Sequence, residues 1–253
     1  MILASRPCQN ALTAVEIIGK ERAAGTGEAR PDGAAACAAA WRRGRGGARL
    51  PGMTAIAQRY RDRADAFQRR IEGTGDGQWH RPSPCEGWSA LDVVGHVVDM
   101  HEAMLRPLGR TLGPAPAAAD DPLAAFLSAR ADVEAVLADP ALAAAPCDTP
   151  AGTVSAERHI DEVLSDDIVL HCWDLAKATG QDADLDPGDA AALWARVNAV
   201  PAETMERLRT PGAFGEGVEV YGPEVGVPGE ASLQDRLLGA LGRDPGWSPG
   251  HGG

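Results

Sequence analysis

The sequence predicts an all-α protein, most simply a four-helix bundle with further helices added at its C-terminal side. Apolar residues recur at spacings of three and four over several long segments, which is the period of an amphipathic helix. Those segments begin at residues that cap helices, and the alternation typical of β-strands is nearly absent outside Val218–Tyr221. Because there is almost no β-sheet to pack against, such helices bury their apolar faces against one another.

Residues 1–52 form a basic leader that lacks a sustained apolar period. They contain eight Lys and Arg against four Asp and Glu, and they are rich in Ala, Gly and Arg. Such a segment buries too little apolar surface to offset its ordering entropy, so we predict that it is disordered. Two interpretations stay open: an arm that binds nucleic acid, and an over-extended reading frame whose true start is Met53. Mass spectrometry of the natively expressed protein distinguishes them.

The first helix follows Met53, with Thr54 as its N-cap. Its inward stripe repeats at spacings of four and three and consists of Ile56, Tyr60, Ala64, Phe67 and Ile71. The run GTGDG (73–77) then ends this helix because glycine favours turns. We assign 53–247 to one helical domain that begins here.

Two capping signals open the next two helices. Ser89 and Asp92 form an S-x-x-D capping box for a second helix that runs to about Leu105. Asp121-Pro122 supplies an N-cap and a proline in the first helical position for a third helix.

Three more helices follow. A fourth runs from about Ser155 to Thr179 and ends at Gly180, a residue type that commonly terminates helices. Asp186-Pro187 starts a fifth helix, which Pro201 is expected to kink or split. A second S-x-x-D box at 232–235 opens a short last helix through Leu241.

Composition excludes several classes of partner. Outside the leader the chain carries 16 basic and 32 acidic residues, a balance that repels nucleic-acid phosphate and anionic membranes. No apolar run approaches the roughly 20 residues of a membrane span, and the N-terminus lacks the apolar core of a signal peptide. Five scattered cysteines without a CxxC pair fit a reducing compartment. We therefore predict a soluble, cytoplasmic protein with no nucleic-acid or membrane partner.

In the fourth helix a carboxylate and an imidazole lie one turn apart on the inward face. Asp167 precedes His171 by four residues in the stretch DDIVLHCWD, beside the apolar positions Ile160, Leu164, Ile168, Leu175 and Ala178. A carboxylate removed from water needs a positive partner, and no Lys or Arg occupies the neighbouring inward positions of this helix. A metal ion bound by both side chains would supply that charge, since the i, i+4 spacing is that of the two histidines in HExxH sites.

The second helix offers a third ligand. His96 lies beside the apolar stripe of that helix, and an up-and-down bundle can bring it against Asp167 and His171. The three would form a two-histidine, one-carboxylate site with an open coordination position. The spacing alone leaves ordinary alternatives open: a hydrogen-bonded core histidine, and a hydrogen-bonded carboxylate at the edge of the stripe.

Two motifs carry a resemblance to a known family. The first is Trp79-x-x-Pro82 followed by PCEGWS (84–89) and Asp92-x-x-x-His96, and the second is DxxxHxWDLAxATG (167–180). Together they resemble the signatures of the metal-binding domain of mycothiol-dependent maleylpyruvate isomerases. FGEGVEV (214–220) and LQDRLLGALGRDPGW (233–247) resemble an actinobacterial branch of that group. The resemblance covers 53–247 and leaves the leader unexplained.

The resemblance implies a fold, a ligand set and a cosubstrate. The group has the DinB-like fold, a four-helix bundle with a divalent metal among its helices, and its ligands correspond to His96, Asp167 and His171. The isomerases often carry Glu at the position of Asp167. Zn²⁺ suits three such ligands with an open position, and Ni²⁺ or Fe²⁺ suit the same donors. The implied cosubstrate is mycothiol, whose sulfur the metal holds as a thiolate for attack on an electrophile.

Two hypotheses of different classes follow. One is a metal-dependent thiol transferase or maleylpyruvate isomerase-like enzyme, with a small-molecule thiol and an electrophile as partners. The other is a metal- or ligand-binding helical module without turnover. No catalytic base is evident from the sequence, and a homodimer stays open.

Four further residues lie near the predicted site. Asp174 and Asp99 each follow a proposed histidine ligand by three residues and are candidate acceptors that would fix the ring tautomers. Ordinary exposed acids on a helix are the equal alternative for both. His101 falls on the apolar stripe of the second helix, where it could approach the site. Trp88 is interpreted as a packing anchor that braces the loop before that helix.

Overall fold

The computed structural model describes residues 53–149, 152–213 and 220–250. The predicted leader, 1–52, lies outside the described residues, and so do positions 218 and 219 of the segment with strand-like alternation. Within the described residues the chain is mostly helical, as predicted.

Four long helices form the bundle that the sequence predicts. They are α1 (Ala55–Glu72), α2 (Ala90–Leu105), α3 (Pro122–Ala138) and a continuous helix made of α5 (Ala156–His159), a π-helical segment (Ile160–Ser165) and α6 (Asp166–Thr179). A single turn, α4 (Pro140–Ala143), follows α3. Helices α1 and α2 each pack against both α3 and α6, so α1 and α2 occupy opposite corners. This arrangement places α2 directly against α6.

The predicted helix ends are confirmed by their caps. The hydroxyl of Thr54 accepts a hydrogen bond from the backbone N–H of Ala57, and Ser89 and Asp92 form the reciprocal capping box at the start of α2. Helix α6 ends at Gly180, which adopts the left-handed conformation at φ 73°. Local sequence therefore fixes where the two helices of the predicted site begin or end.

A short β-hairpin that was not predicted precedes the fourth helix. Strands β1 (Pro146–Thr149) and β2 (Gly152–Ser155) pair antiparallel, with Cys147 opposite Val154. Each strand is four residues long, which is too short for an alternating pattern to be recognised. The hairpin leads into α5, where Ser155 is the N-cap.

Among the described residues, three helices follow α6 along the chain. They are α7 (Pro187–Asn198), α8 (Ala202–Leu208) and α9 (Leu233–Ala240), and Pro201 separates α7 from α8 as predicted. Leu193 of α7 and Leu237 of α9 share a small apolar cluster with Val169 and Leu170 of α6. In the described part of the chain no helix combines the length and apolar character needed to cross a bilayer.

Ion pairs fix the π-helical segment and the first turn of α6. Arg59 of α1 binds Asp161 through two contacts of 2.6 Å. Arg63, whose side chain is 1% exposed, binds Asp166 at 2.7 Å and Asp189 at 2.9 Å. Because Asp166 immediately precedes a predicted ligand, these pairs hold that part of the backbone in place.

Candidate metal centre

Three side chains from two helices converge at one buried point. His96 projects from α2, and Asp167 and His171 lie one turn apart on α6; each residue is less than a tenth exposed. His96 Nε2 lies 3.3 Å from Asp167 Oδ2, and His171 Nε2 lies 3.3 Å from Asp167 Oδ1. One ligand atom of each residue is within 4.8 Å of the others. The structure thus brings together the three residues that the sequence singled out.

The possible metal-ligand atoms of these residues suit a small divalent cation. His96 Nε2 and Asp167 Oδ2 are buried and have no hydrogen-bond partner among the described residues, although only 3.3 Å separates them. Buried polar atoms in native proteins are nearly always paired. Bonds of about 2.0–2.1 Å at tetrahedral angles place neighbouring ligand atoms roughly 3.4 Å apart, which is close to the observed spacing. A cation between the two atoms would satisfy both.

The local charges also favour a cation. Burial raises the pKa of Asp167, but the His171 and His96 imidazoles outweigh it and hold this pKa well below its ordinary value. Burial lowers the pKa of His171, but the carboxylates of Asp167 and Asp174 outweigh it and raise this pKa to about 10. Asp167 is therefore ionised and attracts a positive charge, which either a proton on His171 or a metal ion can supply.

Asp174 fixes the ring of His171. Asp174 Oδ2 accepts a hydrogen bond of 2.9 Å from His171 Nδ1, so that Nε2 is the nitrogen that faces Asp167. Carboxylates commonly hold ligand histidines in this way. The predicted contact of Asp174 is confirmed. Asp99, the other candidate, is exposed on α2 and accepts no hydrogen bond from His96, so it is the ordinary exposed acid that the spacing also allowed.

A guanidinium from the C-terminal segment binds the same carboxylate. Arg243 Nη2 lies 2.8 Å from Asp174 Oδ2, and Arg243 Nε lies 3.0 Å from Asp174 Oδ1. Burial raises the pKa of Asp174, but Arg243 and His171 outweigh it and hold this pKa well below its ordinary value. Arg243 was not predicted from the sequence, because it lies 69 residues after Asp174 and not on the same helix.

A crowded glycine turn positions Arg243. Gly242 adopts φ 78°, and a Cβ atom built on it would lie 2.7 to 2.8 Å from backbone atoms of Gly222. Only glycine combines that conformation with such a close approach of two backbone segments. The turn after α9 therefore directs the chain back toward α6.

A second group of possible ligand atoms shares His171. Cys85 Sγ lies 3.4 Å from Asp174 Oδ2, and Cys85, His171 and Asp174 offer atoms within 4.8 Å of one another. In this group His171 would have to use Nδ1, which already binds Asp174, and Arg243 already places a positive charge against that carboxylate. The group at His96, Asp167 and His171 is therefore the better cation site.

His101 belongs to the core and not to the site. Its ring nitrogens contact the Tyr60 hydroxyl at 2.8 Å and the Val97 carbonyl at 2.6 Å, and its ring lies edge-on to Phe126. Burial lowers its pKa to about 4, so His101 is neutral at physiological pH. Both ring nitrogens of His101 therefore make their hydrogen bonds within the bundle core, and neither makes one to the three proposed ligands.

Comparison with known proteins identifies the family of this chain. Residues 60–176 match the model of the mycothiol maleylpyruvate isomerase N-terminal domain, a span that contains all three proposed ligands. Two uncharacterized proteins of Mycobacterium tuberculosis, from strains CDC 1551 and H37Rv, are each 32% identical to this chain over 179 residues. The aligned region covers 71% of this chain and 92% of each relative. No solved structure matches the chain.

Proposed function

The chain belongs to the family of the mycothiol maleylpyruvate isomerase N-terminal domain, and from that premise we propose that it is a metal-dependent thiol transferase or isomerase-like enzyme. Its substrates are a low-molecular-weight thiol of the mycothiol class and a carbon electrophile. The observation that carries this proposal is the convergence of three buried ligand residues, two of which offer atoms that lack a hydrogen-bond partner in the described part of the chain.

His96, Asp167 and His171 would hold the metal ion through two imidazole nitrogens and one carboxylate oxygen. We favour Zn²⁺, because three nitrogen and oxygen ligands with one open position are typical of its catalytic sites; Ni²⁺ and Fe²⁺ accept the same donors. The ion, when bound, would favour the thiolate form of a thiol at the open position.

The surrounding residues prepare the ligands for that role. Asp174 holds His171 in the tautomer that presents Nε2, and Arg243 holds Asp174. In the reaction the thiol loses its proton to solvent, and the sulfur electron pair forms a bond to an electrophilic carbon. The electrophile then takes up a proton in an addition, or releases an anionic leaving group in a substitution.

Thiol conjugation by the full-length protein tests this proposal. Zinc-loaded protein is mixed with mycothiol and a carbon electrophile, and the conjugate is measured by mass spectrometry. We expect His171→Ala to lose both bound zinc and conjugation, whereas His80→Ala, which removes an exposed imidazole, retains both. Conjugation that persists after chelation of the metal would refute the proposal.

A metal- or ligand-binding module without turnover is the second candidate. The carboxylate of Asp174 and both nitrogens of His171 already contact other groups of the site, so neither is an evident free base. Cobalt-substituted protein distinguishes the candidates. A sulfur-to-cobalt absorption band upon addition of mycothiol, with no product from any electrophile offered, would favour the module.

We further propose that the protein works in the cytoplasm. Cys147 and Cys172 are buried free thiols, as expected for a reducing compartment. A thiol cosubstrate would also stay reduced there.

A further inference from the structure

Trp88 lies against both proposed histidine ligands. Its ring centroid is 5.0 Å from that of His96 and 6.0 Å from that of His171, and it stacks on His171 at an interplanar angle of 22°. The backbone N–H of Trp88 donates to the carbonyl of Cys85, and the carbonyl of Trp88 accepts from the N–H of Ser83. The residue is 4% exposed, so its backbone and its ring are both held in place.

The indole N–H of Trp88 is buried without a hydrogen-bond partner among the described residues. Leaving a buried donor unpaired is costly and rare in native proteins. Among the other buried atoms that lack a partner in the described residues, His96 Nε2 and Asp167 Oδ2 belong to the adjacent ligand group. Those two can bind a cation, but an indole N–H can only donate, so its partner has to be an acceptor.

We propose that the indole N–H of Trp88 donates a hydrogen bond to an anionic ligand held at the metal centre. This inference rests on the proposed function, because the acceptor is the thiolate sulfur, or an oxyanion, that would occupy the open position. A hydrogen bond to a charged acceptor is stronger than one to a neutral acceptor. Trp88 therefore selects the ionised form of the ligand, in addition to bracing the loop before α2.

Ligand titration of the cobalt-loaded protein tests this role. Azide and N-acetylcysteine serve as anionic probes, and their affinities are followed by the visible absorption of cobalt. Trp88→Phe keeps an aromatic ring but removes the donor, so both probes should bind about 10- to 100-fold more weakly, as expected for a hydrogen bond to a charged group. The affinity of Trp88→Phe for cobalt should differ from that of the wild type by less than about threefold, since the indole cannot bind the ion.

Trp79→Phe is the matched control. Trp79 lies in the same loop and packs against the core, and its replacement should leave probe affinities unchanged. Failure of the wild-type protein to bind cobalt would overturn the proposed function and this inference together. Normal cobalt binding by Trp88→Phe with wild-type probe affinities would overturn this inference alone.

Nuclear magnetic resonance of the zinc-loaded wild-type protein gives a second readout, in which the ligand is added to the wild-type protein alone. With ¹⁵N-labelled tryptophan, the indole N–H signal of Trp88 should move downfield upon addition of azide, while that of Trp79 should not. The signal is assigned by selective labelling or by its absence in Trp88→Phe. A Trp88 signal that does not move while azide saturates the site would also overturn the inference.

Discussion

Replacing Arg243 with methionine tests whether the C-terminal segment is coupled to the metal centre through Asp174. The substitution keeps an unbranched side chain but removes the guanidinium from a carboxylate whose side chain is fully buried. Breaking a buried ion pair by removing one partner costs about 3–5 kcal/mol. Asp174 keeps its contacts with His171 and Cys85, so we expect a loss near the lower limit, about 3 kcal/mol.

Urea unfolding followed by circular dichroism in the presence of a chelator measures this loss, because bound metal would add its own stabilisation. For a slope of about 2 kcal/mol per M, the midpoint should fall by roughly 1.5 M. The control is Arg158→Met, which breaks an exposed pair with Glu162 at the start of the same long helix and should cost less than about 1 kcal/mol. Equal losses in the two variants would refute the reasoning.

A double-mutant cycle with Asp174→Asn isolates the pair itself. If Arg243 acts through Asp174, the two substitutions together should destabilise the protein by clearly less than the sum of their separate effects. A coupling free energy below about 0.5 kcal/mol would show that Arg243 stabilises the segment through other contacts.

Three further predictions concern protonation and the backbone. With a pKa of about 10, His171 is protonated at neutral pH and has to lose that proton before it can bind a metal ion. The apparent affinity for zinc should therefore rise about tenfold per pH unit between pH 7 and 9. A competition titration in which the affinity does not change with pH would contradict this. The pKa of His101 falls from 6.5 in the unfolded chain to about 4 in the folded protein, so between these pH values only the unfolded chain binds a proton at this residue. The free energy of unfolding should therefore decline by roughly 3 kcal/mol as the pH falls from 6.5 to 4. Denaturant unfolding at several pH values should show this slope in the wild type, and an equal slope in His101→Asn would contradict it. Gly242→Ala should lower the free energy of unfolding by more than about 3 kcal/mol, because strain at positive φ adds to a clash with the backbone of Gly222. Gly87→Ala, at φ 74° with no atom near the new Cβ, should lower it by only about 1–2 kcal/mol. Similar midpoints for the two alanine variants in urea would show that the Gly242 turn is not crowded.

The helices and their ends were predictable because their signals are local. Thr54, Ser89 and Gly180 act on the turn in which they lie, so a single sequence is enough to place the helix ends. The face shared by Asp167 and His171 was also predictable, since helical periodicity fixes which residues point the same way.

The rest depended on contacts between distant segments. Spacing suggested His96 as a partner, but only the packing of α2 against α6 brings it to Asp167. Arg243 carried no local signal, because its role follows from how the turn at Gly242 returns the chain to α6. Asp99 has the same spacing from its histidine as Asp174, yet it is exposed, so spacing along a helix does not tell which side is buried.

The most direct test of the metal centre is X-ray absorption spectroscopy of the zinc-loaded full-length protein without added thiol. If His96, Asp167 and His171 bind the ion, the spectrum should show only nitrogen and oxygen scatterers at about 2.0–2.1 Å, two of them imidazoles. A sulfur scatterer at about 2.3 Å would place the ion at a cysteine instead, and the absence of bound zinc would leave a helical bundle without the proposed centre.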